Sequence, residues 1–122
     1  MIAGGITLHE ALKASVVLEA EGVFIRVVDI FSVKPLDKEG IIREGLACNG
    51  LILVVEDHYE NGGIKDSISS ILSTKKEIVV DGLGIKEIPR SGTPGELVIR
   101  FGIDCKSIVT KVKEMIREWG KK

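Results

Sequence analysis

The densest group of chemically capable side chains in the sequence lies between residues 56 and 63. Three carboxylates, an imidazole, a phenol and an amide fall within six residues and precede a glycine pair, in the order Glu56, Asp57, His58, Tyr59, Glu60, Asn61, Gly62, Gly63. Asp57 and His58 are suitable metal donors, but adjacent residues rarely converge on one ion and no third ligand is spaced to join them. Glu56 and His58 could form a general acid–base pair, yet the sequence marks no nucleophile beside them.

A structural interpretation of this segment is favoured over both chemical ones. Carboxylates accept hydrogen bonds from helix N-termini and from arginine, and glycines allow close packing. We therefore predict that much of the segment is buried against a partner protein, and we predict no catalytic, cofactor-binding or metal-ligating residue in the chain. The predicted interface residues are Glu56, Asp57, His58, Tyr59, Gly62, Gly63 and Arg90.

Arg90 is the arginine of a turn-rich segment, Ile88–Pro94, that contains two prolines and a glycine. A guanidinium held in such a setting can clamp a phosphate or carboxylate of a ligand. It can equally pair inside the protein with Glu56 or Asp57, which is the favoured interpretation.

Gly4 and Gly5 lie between the first apolar run and a helix start at Thr7. A helix N-terminus with free N–H groups can hold a phosphate. The spacing matches neither of the glycine-rich phosphate-binding fingerprints. A tight turn between strand and helix is therefore favoured, and His9, in the first helical turn, is expected to be exposed or to cap the helix.

The elements that must position these residues follow an alternating order of strand and helix. Four apolar, β-branched runs are nearly continuous, which is typical of parallel strands covered by helices on both faces. We predict an α/β fold, a three-layer αβα open sheet that is mostly parallel and doubly wound. The expected spatial order is Val23–Phe31, Met1–Ala3, Leu51–Val55, Ile78–Leu83. The first run is short for an inner strand, so either a preceding segment is missing or a neighbour completes the sheet.

Capping signals locate the helices. Thr7 and Glu10 have the spacing of a capping box for a helix over residues 8–20, which Gly22 ends. Asp37 caps a second helix, which ends at Gly50. The spacing of apolar residues predicts a third helix from Ile64 to Leu72, a short helical turn at 96–99, and a last helix after Asp104. The core stripe of that last helix is Ile108, Val112, Met115, Ile116 and Trp119.

Composition narrows the functional class. The 122 residues suit a single domain, 1–122, and 44% hydrophobic with 29% charged residues is the balance of a globular protein. Seventeen basic and eighteen acidic side chains leave a net charge of −1, so neither nucleic acid nor a membrane is the expected partner. Two cysteines without metal spacing suit a reducing compartment, and we expect a cytoplasmic protein.

Five short motifs, collinear over essentially the whole chain, resemble the C-terminal domain of transketolase, in the shorter form of animals and some microbes. They are Gly5–Leu12, Lys34–Asp37, Glu56–Tyr59 with Gly62–Gly63, Pro89–Gly92 and Phe101–Asp104. The resemblance implies a homodimeric parent enzyme that uses thiamine diphosphate and a divalent cation, magnesium or calcium. That enzyme moves a two-carbon ketol unit between sugar phosphates in the pentose phosphate pathway. Lys65 departs from the family, which commonly has a third glycine there, so looser helix packing is expected.

The resemblance implies that the amino-terminal strands are truncated, because family members place an edge strand and a longer central strand before Met1. It also implies what this piece of the enzyme does. In transketolases the third domain contributes no recognised catalytic or cofactor-contacting residue, so we expect a structural, dimer-stabilising domain that packs against the remaining transketolase domains. The isolated chain is expected to bind no cofactor and to be inactive. Two alternatives stay open: a free-standing module that binds an anion or sugar phosphate through Gly4–Thr7 and Arg90, and a subunit of a split thiamine-dependent enzyme.

Overall fold

The computed structural model describes residues 1–30, 35–59, 61–86 and 91–120. Strands and helices alternate over most of this length, and two helices follow the last strand. In chain order the elements are β1 (Ile2–Ala3), α1 (Ile6–Ala20), β2 (Val28–Asp29), α2 (Lys38–Ala47), β3 (Leu51–Tyr59), α3 (Ile64–Ile71), β4 (Val79–Ile85), α4 (Pro94–Arg100) and α5 (Cys105–Trp119).

The four strands form one parallel sheet in the order β2-β1-β3-β4. Ile2 of β1 is paired with Val28 on one side and with Val54 on the other, so β1 lies inside the sheet. This is the predicted strand order, and the α/β class predicted from the alternation is confirmed. Because all the strands are parallel, the segments that follow them meet at one edge of the sheet.

Two apolar layers enclose the sheet. Alternate residues of β3 point to opposite faces, so Leu53 and Val55 join one layer while Ile52 and Val54 join the other. The first layer packs beneath α1 and α5 and includes Ala11, Leu18, Ile103, Ile108, Val112 and Met115. The second packs beneath α2 and α3 and includes Ile41, Ile68, Leu72 and Ile78. Most of the predicted stripe of α5 is therefore core, although Ile116 is exposed.

The run predicted as a strand over Val23–Phe31 is mostly not one. Only Val28 and Asp29 pair with β1, which offers just two residues as partners. Val23, Ile25 and Val27 still pack against the first apolar layer. The apolar run that predicted a strand therefore reflects burial in the core without pairing to a neighbouring strand. Phe31 lies outside the described residues.

The capping box predicted at the start of α1 is wrong. The helix begins at Ile6 after Gly5, which has a φ of 61° and places Thr7 inside the first turn. The Thr7 hydroxyl is buried and lies 2.9 Å from the Gly4 carbonyl oxygen and 2.8 Å from that of Val55. Glu10 instead accepts a hydrogen bond from the Cys105 amide at 2.9 Å, and so caps α5. The turn is too tight for Thr7 to occupy the cap position.

Other helix boundaries follow the predicted signals. Asp37 accepts a hydrogen bond from the Gly40 amide at 3.0 Å and starts α2. Gly22, with a φ of 84°, ends α1, and the next amide reaches back to the Leu18 carbonyl at 2.9 Å. The predicted helical turn is α4, which begins with a capping box between Thr93 and Glu96.

On β4, at the outer edge of the sheet, the carboxylate of Asp81 is held by a hydrogen bond and an ion pair. Asp81 accepts a hydrogen bond from the Gly82 amide at 2.7 Å and pairs with Lys111 of α5 at 2.8 Å. Burial alone would raise the pKa of Asp81, but the hydrogen bonds from Lys111 and Gly82 outweigh it and the pKa is lowered. The hydrogen bond to Asp81 raises the pKa of Lys111. An edge charge of this kind also discourages pairing with a foreign strand.

Leu18 and Val16 on α1 provide a direct test of where the core lies. Leu18 is fully buried whereas Val16 is 67% exposed. We expect Leu18→Ala to lower the free energy of unfolding by about 2–5 kcal/mol through lost apolar burial and a residual cavity. Val16→Ala should change it by no more than about 0.5 kcal/mol. Urea denaturation measures both, and equal effects would contradict this packing.

The Asp81–Lys111 pair predicts a pH dependence with two limits. A lowered carboxyl pKa stabilises the fold above the unfolded value of about 3.9, and this contribution is lost as the pH falls through the folded pKa. A raised lysine pKa stabilises below about 10.4, and this is lost as the pH rises through the folded value. The stability difference between wild type and Lys111→Met should therefore be constant near neutrality and shrink at both extremes.

Urea unfolding over a pH series measures that difference. Lys106→Met, an exposed change on the same helix, is the matched control and should give a small difference at every pH. A Lys111→Met difference that persists unchanged into strong acid would contradict the assignment.

Candidate functional site

The strand predicted to end at Val55 continues into the carboxylate-rich segment. β3 continues through Glu56, Asp57 and His58 to Tyr59, which pairs with Ile85 of β4. The register shifts between Val55 and Tyr59, so the intervening residues form a bulge. Charged residues in a row are a loop signal, but pairing with β4 overrides this local preference.

Glu56 is the buried centre of the segment, with only 3% of its surface exposed. Its Oε1 accepts a hydrogen bond from the Ile64 amide at 2.9 Å and its Oε2 accepts one from the Lys65 amide at 2.8 Å. These are two of the N–H groups that the first turn of α3 leaves without helical partners. The predicted hydrogen bonding of a carboxylate to a helix N-terminus is thus confirmed for Glu56.

The glycine pair is required by this arrangement. A Cβ on Gly63 would lie 1.7 Å from Glu56 Oε1, so any side chain there would displace the carboxylate. Gly62 has a φ of 78°, and its amide donates a hydrogen bond to Asp66 Oδ2 at 2.7 Å. Gly63 therefore provides the predicted close approach, whereas Gly62 stands in open space and provides a left-handed turn instead.

Asp57, His58 and Tyr59 lie on the surface. His58 Nδ1 is 2.8 Å from the Tyr59 carbonyl oxygen, which can only accept, so Nδ1 carries a hydrogen. The same nitrogen is 3.8 Å from Glu56 Oε1, beyond hydrogen-bond distance. Because both Glu56 oxygens already accept backbone hydrogen bonds, the Glu56–His58 pair lacks the geometry of an acid–base dyad.

The metal interpretation finds no support in the described ranges. Within residues 1–30, 35–59, 61–86 and 91–120, no group of three or more histidine, cysteine, aspartate or glutamate side chains is placed to hold an ion. Among the described residues, Asp57 and His58 therefore have no third donor with which to hold a cation. Arg90, predicted to pair with Glu56 or Asp57 or to clamp a ligand, lies outside the described residues.

The glycine turn before α1 is a tight connection, as favoured from the sequence. Its Thr7 hydroxyl faces protein carbonyl groups, and a Cβ on Gly4 would lie 2.9 Å from the Ile30 carbonyl oxygen. His9 is exposed, as expected. Through Val55, Thr7 joins this turn to the residue that precedes Glu56.

Sequence reasoning missed three positioning residues. Thr7 and Glu10 contact Val55 and Cys105, and no local spacing predicts contacts so distant in sequence. Asp66, which holds Gly62, did carry a signal, since an acidic residue in the first turn of a helix commonly binds amides there. Lys65, which stands where the family commonly has a third glycine, places its aliphatic stem against the bare backbone of Gly82.

Comparison with known proteins identifies close relatives. A family model for the C-terminal domain of transketolase matches residues 1–108. The chain is 46% identical to transketolase-like protein 2 of Mus musculus and 45% identical to transketolase of Homo sapiens, each over 116 residues. Both alignments cover 95% of this chain but only 18% and 19% of the relatives, so the chain spans about a fifth of their length.

A solved structure matches as well. The protein described as a split gene transketolase, an inactive beta4 tetramer, superposes with a TM-score of 0.84 and 32% sequence identity. The match covers 93% of this chain and 37% of that one. In the described part of this chain, no helix is long and apolar enough to cross a membrane.

Glu56 provides the test of this site. We expect Glu56→Ala to lower the free energy of unfolding by about 1–3 kcal/mol, because two amides of α3 lose their acceptor in a buried position. Gly63→Ala should destabilise as well, since the added methyl group must displace the same carboxylate. Asp57→Ala, an exposed neighbour, is the control and should have little effect. Urea denaturation measures all three, and a neutral Glu56→Ala would contradict the capping role.

Proposed function

Because the chain belongs to the transketolase C-terminal domain family, we propose that it serves a transketolase as a structural domain that stabilises the assembled dimer. The parent enzyme would transfer two-carbon ketol units between sugar phosphates in the pentose phosphate pathway, in the cytoplasm. The 122 residues would form a single domain of that enzyme. On its own this domain would be inactive.

The observation that supports this proposal most strongly is that Glu56, the buried carboxylate of the segment, forms its hydrogen bonds within the fold. Glu56 is the only buried ionisable side chain among the residues described, and each of its oxygens accepts a hydrogen bond from an amide of α3. With 3% of its surface exposed and each oxygen bound to a helix amide, this carboxylate is held away from the surface that a substrate would reach. The carboxylate of Glu56 therefore serves to hold α3 against β3.

The residues beyond Glu56 suit a protein contact. Asp57, His58 and Tyr59 occupy successive positions of a strand, and Tyr59 is 46% exposed. The rings of His58 and Tyr59 meet edge to face, with centroids 6.2 Å apart. Tyrosine is enriched among the residues that dominate interface energies, and a strand holds such side chains in fixed positions. We call these three residues the assembly rim and propose that other transketolase domains cover it.

We place thiamine diphosphate and its divalent cation on the other domains. The donor set near Asp57 and His58 does not fit the cation. The Thr7 hydroxyl at the start of α1 is turned towards protein carbonyls, which gives the anion-binding alternative less support. No step of the reaction is assigned to this chain.

A second candidate is a subunit of a split enzyme. The solved relative is described as a split gene transketolase, in which the beta4 tetramer is inactive. In that case the catalytic remainder would be a separate polypeptide, and this chain would bind it through the same rim. The inactivity described for that relative agrees with the proposal that the ketol transfer resides elsewhere.

The rim is tested by the double variant His58→Ala/Tyr59→Ala in a transketolase that carries this domain. We expect dissociation of the assembled enzyme to become at least about tenfold more favourable, because aromatic anchors are lost from the interface. The free energy of unfolding of the isolated chain should change little, since both side chains are exposed. Analytical ultracentrifugation over a dilution series measures the dissociation.

Lys76→Ala/Glu77→Ala, in an exposed segment that precedes β4, is the matched control and should leave dissociation unchanged. Calorimetric titration of the isolated chain with thiamine diphosphate and magnesium should give no binding at micromolar concentration. Unchanged dissociation of the rim variant would overturn the contact, and micromolar cofactor binding would overturn the structural role.

A further inference from the structure

The sequence contains two Asn-Gly pairs, Asn49–Gly50 and Asn61–Gly62, in different structural settings. At such a pair the backbone nitrogen of glycine can attack the side-chain amide of asparagine, because glycine has no side chain to obstruct the approach. We propose that Asn61 is a site of spontaneous deamidation, with Asp66 as the proton acceptor, and that the fold protects Asn49.

At Asn61 the surroundings are open and a base is in place. Asn61 and Gly62 are both exposed, and a Cβ built on Gly62 would have no other atom within 4 Å. The Gly62 amide donates to Asp66 Oδ2 at 2.7 Å. The nitrogen that must lose its proton to become a nucleophile is therefore hydrogen-bonded to a carboxylate, which can accept that proton.

At Asn49 the backbone of the Asn-Gly pair is held in one conformation. Asn49 has a φ of 56°, the left-handed conformation that ends α2, and Gly50 is buried. The Gly50 amide donates to the Gly45 carbonyl at 2.8 Å, and a peptide carbonyl is too weak a base to take the proton. A Cβ on Gly50 would lie 2.0 Å from the Glu77 carbonyl oxygen, so the backbone has no room to rearrange.

The reaction needs only water as co-reactant. The Gly62 nitrogen gives its proton to Asp66 and bonds to Cγ of Asn61, and the bond from Cγ to the side-chain nitrogen breaks. That nitrogen leaves as ammonia, taking up the proton, and a five-membered succinimide remains. Water then adds to one of the two ring carbonyls and breaks a ring C–N bond, which yields aspartate or isoaspartate. No oxidation or reduction occurs.

The product changes the start of α3. Either outcome adds a negative charge near Asp66, and isoaspartate also inserts a methylene group into the backbone beside Gly62. Both changes oppose the hydrogen bond that holds Gly62 and sets the position of Gly63 against Glu56. The modification itself is independent of the proposed function. The proposed function matters only if deamidation at Asn61 also weakens assembly through the neighbouring assembly rim.

The experiment compares the two pairs within one molecule. The 122-residue chain is incubated at mildly alkaline pH, once folded and once in concentrated urea, and peptide mapping by mass spectrometry follows amide-to-acid conversion at both sites. In urea the two rates should be similar. In the folded chain Asn61 should keep most of its rate, while conversion at Asn49 falls by at least about tenfold because it requires local opening.

Two variants test the mechanism on the folded chain. Asn61→Gln should abolish conversion at position 61, since the larger ring forms far more slowly. Asp66→Ala should slow conversion at Asn61 without changing the rate at Asn49, and circular dichroism confirms that the fold is retained. Conversion at Asn49 equal to or faster than at Asn61 in the folded chain would overturn the site. An undiminished or increased rate in Asp66→Ala would overturn the role of Asp66.

Discussion

The structure depends on one buried carboxylate that joins a strand to a helix. Glu56 lies within β3, directly after the apolar run, and accepts hydrogen bonds from two amides in the first turn of α3. A buried, ionised carboxylate is tolerated only when its charge is met by donors, and a helix N-terminus offers both N–H groups and a favourable dipole. Gly63 must lack a side chain for this contact to form. The segment of the sequence with the densest group of reactive side chains thus contains a structural contact between β3 and α3.

A similar principle operates at a second helix. Glu10 of α1 accepts a hydrogen bond from the first amide of α5, although the two residues are far apart in sequence. This contact joins the two long helices that cover one face of the sheet. Thr7 adds a bond from the same turn to Val55. These contacts occupy polar groups that would otherwise be free near the carboxyl edge of the sheet. An edge built in this way favours a rigid surface over a reactive pocket, which suits a domain that other domains pack against.

The parts of this architecture that rest on periodicity could be predicted from the sequence. The apolar stripe of α5 and the caps at Asp37 and Gly22 follow from burial patterns and local hydrogen bonding, which residues close in sequence determine. Strand order follows from the right-handed crossovers of a doubly wound parallel sheet. The extension of β3 to Tyr59 and the use of Glu10 as a cap for α5 could not be predicted. Both depend on which elements become neighbours, and tertiary pairing outweighs the local preference of charged residues for loops.

Membership of the transketolase C-terminal domain family and the hydrogen bonding of Glu56 within the fold both support the proposed division of labour, in which this domain is structural and other domains carry the reaction. The most direct measurement is ketol transfer between sugar phosphates, with thiamine diphosphate and magnesium present, by the isolated chain and by the chain recombined with the remaining transketolase domains. The account predicts no turnover by the chain alone and turnover after recombination. Ketol transfer by the isolated chain would contradict it.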